Sequence, residues 1–83
     1  RNKQTMKLIK KYQGHYKSTT KGMYITIEQN CCTKENYWTL TIHKGNEKNY
    51  IYNDELFCER YDRKKDCVEV AQYQIKELIN KQN

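Results

Sequence analysis

The chain contains no proline and only three glycines in 83 residues. So few glycines exclude a glycine-rich phosphate-binding loop, whose backbone needs several of them at fixed spacing. No stretch approaches the roughly 20 largely apolar residues that a membrane-spanning helix requires, and no segment has the pattern of a signal peptide. No Cys-x-x-Cys pair, Ser-His-Asp set or paired-carboxylate motif is visible. These absences point away from catalysis, and the chain reads as a non-enzymatic protein without cofactor or metal. A ribonuclease built on His15 or His43 with a Tyr and a Lys is the enzymatic alternative.

The most telling absence is of acid. Every charged side chain before Glu28 is basic: Arg1, Lys3, Lys7, Lys10, Lys11, Lys17 and Lys21. The remainder of the chain is nearly balanced, and the whole carries a formal charge of +6. A one-sign block of this kind attracts nucleic acid, anionic lipid or an acidic protein face. A basic end that only keeps a small domain soluble is the plainer account.

Apolar residues make up 36% of the chain and the mean hydropathy is −1.20. Chains of this size form one domain and bury only about 60% of their unfolded surface, so the core is thin. Eight Tyr and one Trp offset that poverty, since each aromatic side chain buries roughly 150–250 Å².

Residues 1–14 form the basic arm. Met6, Ile9 and Tyr12 fall on one face of a helix over 3–12, while Met6, Leu8 and Tyr12 also fit a period of two. Residues 15–53 carry antiparallel strands. Residues 15–20 supply one, Thr19-Thr20-Lys21-Gly22 a turn, and Met23, Ile25 and Ile27 the inward face of the next. Residues 30–36 read as a loop. Trp38, Leu40 and Ile42 then alternate with Tyr37, Thr39, Thr41 and His43. Lys44 to Lys48 forms a Gly-containing hairpin connection, and Tyr50-Ile51-Tyr52 a short strand with Ile51 inward. Residues 54–66 are charged and ambiguous. Asp66 followed by Glu69 reads as a capping-box variant, opening a helix over 67–81 with Val68, Ala71, Ile75, Leu78 and Ile79 as its apolar stripe. The expected fold is α+β: a three- to four-stranded antiparallel meander with a C-terminal helix, and a short N-terminal helix as an option, on one face.

The opposite face would carry Tyr24, Tyr37, Tyr50 and Tyr52 with Thr26, Thr39, Thr41 and His43. Exposed aromatics of this kind stack bases at about 1–3 kcal/mol each. Tyr and Thr also favour strands and stabilise a sheet through cross-strand pairs without any ligand.

Four cysteines remain: Cys31, Cys32, Cys58 and Cys67. Adjacent cysteines rarely both reach one tetrahedral ion, so zinc is disfavoured even with His15 and His43 nearby. Two disulfides would staple a small domain with a thin core, each contributing about 2–4 kcal/mol. The favoured pairing joins the loop holding Cys31 and Cys32 to Cys58 and Cys67, because a bridge between neighbours is strained. Free thiols that pack as small apolar groups are the alternative.

Arg63-Lys64-Lys65 leading into Cys67, Val70 and Ala71, after an order helix–strand–strand–strand–helix, resembles the C-terminal end of a double-stranded-RNA-binding domain. That likeness implies phosphate contacts from the two lysines. It is one of architecture, since the family's Pro-x-Tyr and Gly-Pro-x-His segments are missing and Tyr73 and Ile75 exceed its usual alanines.

Three functions fit. The leading one is nucleic-acid binding, with Lys3, Lys7, Lys10, Lys11, Lys17, Lys21, Arg63, Lys64 and Lys65 on phosphates and Tyr37, Tyr50 and Tyr52 stacking bases. The second is a secreted, disulfide-stapled effector or inhibitor docking on an acidic protein surface. The third is a viral or mobile-element protein that blocks a nucleic-acid enzyme. If the arm, the Tyr-bearing face and residues 63–65 converge, they make one binding site.

Overall fold

The computed structural model describes residues 7–20, 22–30, 36–46, 48 and 55–82. Among these residues five strands precede one helix: β1 (Ile9–Tyr12), β2 (His15–Thr20), β3 (Met23–Gln29), β4 (Trp38–Lys44), β5 (Glu55–Tyr61) and α1 (Lys64–Gln82). The strands lie in one sheet in sequence order, each antiparallel to the next. The protein is therefore α+β, an antiparallel meander with a C-terminal helix packed on one face.

Period-two alternation decides the faces. Ile25 pairs with Ile42 and Ile27 with Leu40 across β3 and β4, so these side chains leave the same side of the sheet. They are fully buried with Met23, and the cluster is completed from α1 by Cys67, Ala71 and Ile75. The three helix residues are four apart and so lie along one stripe. Leu8, Tyr16, Trp38, Phe57 and Tyr61 close the rim of this core. The helix rests on β3, β4 and β5, which leaves β1 and β2 as a wing beside it.

Three expectations change. The helix reading of residues 3–12 fails where it can be judged, because residues 9–12 are a strand. The period of two prevails because β1 pairs directly with β2. Its side chains are all exposed, so burial gives the sequence no pattern to display. The array of strands also runs beyond residue 53, since β5 occupies most of the segment left ambiguous. Three of its seven residues are charged, a common protection for an edge strand and the reason its alternation is hidden. The proposed strand at Tyr50-Ile51-Tyr52 lies outside the described residues.

The helix begins three residues early, at Lys64. The carbonyl of Arg63 accepts from the amide of Cys67 at 3.3 Å and from that of Asp66 at 3.1 Å. Arg63 is thus the capping position, and Asp66 sits inside the first turn, where a carboxylate suits the positive end of the helix. The Arg63 guanidinium donates back to Asp66 from Nε at 3.3 Å and from Nη2 at 3.4 Å. Lys64 and Lys65 are good helix formers, which allows the added residues.

Glycine is required at the turn between β1 and β2. Gly14 has φ +77°, and a Cβ there would meet Gln29 at 3.2–3.3 Å. Its carbonyl accepts from the Gln29 amide at 2.8 Å, tying the hairpin to the end of β3.

Candidate nucleic-acid interface

The antiparallel order gathers the β1–β2 turn, the end of β3, the start of β4 and the β5–α1 connection at one end of the sheet. Most of the described candidate residues lie there. Lys10 is the cross-strand partner of Tyr16, so both side chains leave the helix-bearing face. The Lys64 ammonium stands 3.6 Å from the centre of the Tyr16 ring. On the same side the Tyr16 and Trp38 rings lie 6.3 Å apart at 38°, and Trp38 pairs with Tyr61 across β4 and β5. The arm and the 63–65 cluster therefore meet around Tyr16, on a band of three aromatic residues.

Lys7, Lys10, Lys11, Arg63 and Lys65 are exposed, while Lys17 and Lys64 are half-buried. Lys11 is the extra residue of a bulge in β1. Lys17 pairs with Thr26 and leaves the opposite face from Lys10. Arg63 is committed in part to Asp66. Lys3, Lys21, Tyr50 and Tyr52 lie outside the described residues.

The face away from the helix is not the open aromatic platform that alternation suggested. Tyr24 on this face is only 3% exposed, and its cross-strand partner His43 and the more distant His15 only 7% each. Tyr24 is thus unavailable for stacking, and the sequence pattern could not show this because it assigns a side chain to a face without saying what covers it. Tyr37, half-buried at the start of β4, carries the Arg60 guanidinium 4.7 Å from its ring centre. Arg60 pairs with Thr39 and is exposed.

Beside this pair lies an open cleft of about 430 Å³, lined by Asn36, Tyr37, Arg60, Tyr61 and Asp62. Arg60, Asn36 and Asp62 were not legible as site residues, since their role depends on β5 pairing with β4. The only sequence signal was the high charge of residues 54–66. Burial, with the charge of Glu59 and the Cys67 thiol nearby, pushes the Tyr61 hydroxyl above its ordinary value, so it remains a donor at neutral pH.

A second cluster lies at the same end on the far face. Nδ1 of His15 is 3.0 Å from Tyr12 Oη and 3.0 Å from Glu28 Oε2, with the Tyr12 and His15 rings edge-on at 4.8 Å. Nε2 of His15 is buried without a hydrogen-bond partner among the described residues. One nitrogen of this imidazole is thus engaged by Tyr12 and Glu28 and the other is buried.

Of the four cysteines, the described residues hold two, Cys58 as an exposed free thiol and Cys67 as a buried one; Cys31 and Cys32, on which the expected pairing also depends, lie outside the described residues. Cys58 pairs with Thr41 on the face away from the helix, whereas Cys67 sits in the core beneath the helix. The sheet lies between them, which excludes a bridge from one to the other. Burial, helped by Asp66, pushes the Cys67 thiol up to about 11.

Among the described residues no group of three or more His, Cys, Asp and Glu gathers as a metal site, and no helix is long and apolar enough to cross a membrane. The double-stranded-RNA-binding analogy loses its first element, because a strand stands where that order needs a helix. Compared with protein-family models, curated proteins and solved structures, the chain finds no match.

Proposed function

We propose that this domain is a nucleic-acid-binding module without enzymatic activity, and that it binds through the end of the sheet where Tyr16, Trp38 and Tyr61 lie. The observation that carries the reading is the pairing of Lys10 with Tyr16 across the strands together with the Lys64 ammonium over the Tyr16 ring. Two basic segments far apart in sequence thereby contribute to one surface. Lysines supply phosphate contacts and aromatic rings supply base contacts, the combination used by single-strand-binding surfaces.

Among the described residues, Lys10, Lys11, Arg60, Arg63, Lys64 and Lys65 are the cations carried by the elements that meet at this end. A surface making six phosphate contacts to a single strand loses about 300-fold in affinity between 50 and 200 mM salt. Fluorescence anisotropy with single-stranded oligonucleotides across that range is the test. Replacing Lys10 and Lys65 together by Gln is expected to flatten the log–log salt slope by about 1.4. Undetectable binding at the lowest salt, or a slope unmoved by the double substitution, would reject the reading.

A further inference from the structure

We infer that the cleft between the start of β4 and the end of β5 receives one unstacked guanine base of a single-stranded nucleic acid. This rests on the nucleic-acid reading above and adds a base preference to it.

The volume comes first. About 430 Å³ falls in the range of small-molecule sites, roughly 300–1,000 Å³, and is ample for one purine. Its walls are flat. Tyr37 and Tyr61 contribute rings, and the Arg60 guanidinium already lies over Tyr37 at 4.7 Å. Splayed bases in single strands stack on such rings and on guanidinium planes.

The polar groups then select among bases. Among the described residues no hydrogen bond or ion pair occupies the exposed Asp62 carboxylate. A carboxylate only accepts, and it offers two oxygens. Asn36 accepts through Oδ1 from Gln29 Nε2 at 3.5 Å, which leaves its Nδ2 hydrogens as donors. One acceptor pair beside one donor matches the Watson–Crick edge of guanine, with N1–H and N2–H to Asp62 and O6 to Asn36. Adenine and cytosine each present one amino donor, and thymine one imino donor, so none fills both carboxylate oxygens from its pairing edge.

The surroundings fit a base at the end of a phosphate track. Asp62 is followed at once by Arg63, Lys64 and Lys65, the basic cluster that reaches Tyr16. Of the two carboxylates that bound this cluster, Asp66 is held by Arg63, and Asp62 is the one left to meet a base. Duplex nucleic acid, whose pairing edges are engaged, cannot make these bonds.

The test uses the full chain and oligothymidylates of about 12 nucleotides, within the usual site size, carrying a single central G, A, C or T. Deoxyribose and ribose forms are run in parallel to separate DNA from RNA. A bidentate base contact corresponds to roughly tenfold discrimination, so the G oligomer is expected to bind about ten times more tightly than the T oligomer. Asp62→Asn should abolish that preference while leaving affinity for the all-T strand unchanged or higher, because a negative charge is removed from a phosphate-binding surface. Thermal melting of the variant confirms that it is folded. Equal affinity for all four strands, or a G preference that survives Asp62→Asn, overturns the guanine site while salt-dependent binding still stands. Absence of binding to every strand at low salt overturns the nucleic-acid reading itself.

Discussion

The Lys64 ammonium rests 3.6 Å from the centre of the Tyr16 ring, joining the first turn of the helix to β2. A cation–π contact at a partly exposed site contributes about 0.5–1 kcal/mol, and an aromatic pair such as Tyr16–Trp38 about 0.5–1.5 kcal/mol. Lys64→Met, which keeps the stem, is expected to lower stability by less than about 1 kcal/mol. Tyr16→Leu loses both contacts and should cost roughly 1–2.5 kcal/mol. Urea unfolding of both variants measures this. Equal costs would show that the Lys64 contact carries the whole effect.

The core offers little reserve. Leu40 and Ile25 have no exposed surface, and truncating such a side chain to Ala costs about 2–5 kcal/mol. Small domains have a net stability of only about 5–15 kcal/mol, with those of this size at the lower end. Leu40→Ala is therefore expected to shift the urea midpoint sharply downward, and to leave a substantial unfolded fraction at 37 °C by circular dichroism. Leu56→Ala, on an exposed position of β5, should change stability by no more than about 0.5 kcal/mol.

The two described thiols should differ in reactivity. The thiolate is the reactive form, and Cys67 is both buried and held at about 11. Brief alkylation of the native protein at pH 8, read by peptide mass spectrometry, should label Cys58 and spare Cys67. In urea both should be labelled. The same shift couples to stability: the folded chain retains a proton that the unfolded chain releases above its ordinary value of 9.0. The contribution is fully present below pH 9 and is lost as pH rises toward 11, and Tyr61, also raised, acts in the same direction. Urea midpoints should thus fall across that alkaline window, and Cys67→Ala should reduce the steepness of the fall.

Tyr12 and Glu28 share one atom of His15. Both stand 3.0 Å from Nδ1, so either can satisfy the nitrogen when the other is removed. Tyr12→Phe and Glu28→Ala should each cost about 1 kcal/mol or less. The double variant should cost more than their sum, because a buried imidazole then loses both partners of Nδ1 and a stranded polar group costs about 1–3 kcal/mol. A double-mutant cycle measures the coupling, and strict additivity would show that the two contacts act independently.

Much of the fold was legible because alternation is a strong signal wherever one face is buried. Met23, Ile25 and Ile27 and then Trp38, Leu40 and Ile42 announce β3 and β4, and the stripe from Val68 to Ile79 announces α1. The edge strands were not legible. Ile9 and Tyr12 in β1 are exposed, and β5 spreads Glu55, Glu59 and Arg60 over both faces, so neither has a burial pattern to print on the sequence. The candidate site was half legible. Tyr37 and the 63–65 cluster stood out by residue type, whereas Tyr16 gained meaning only when pairing set it opposite Lys10. Asp62 and Asn36 are ordinary loop residues until β5 is placed beside β4.

The sequential meander has a consequence for how the chain reaches its native state. Each strand pairs with the one just before it, so no step needs distant segments to find one another, and the entropy lost in closing each loop is small. Mostly local pairing of this kind favours rapid folding despite the high strand content. The rate should be governed by the β4–β5 connection, the longest in sequence between paired strands, and by docking of α1, which rests on β3, β4 and β5 together. A sheet that zips hairpin by hairpin leaves its apolar face open until the helix arrives, so the interval between those two events is when this chain is most exposed to aggregation.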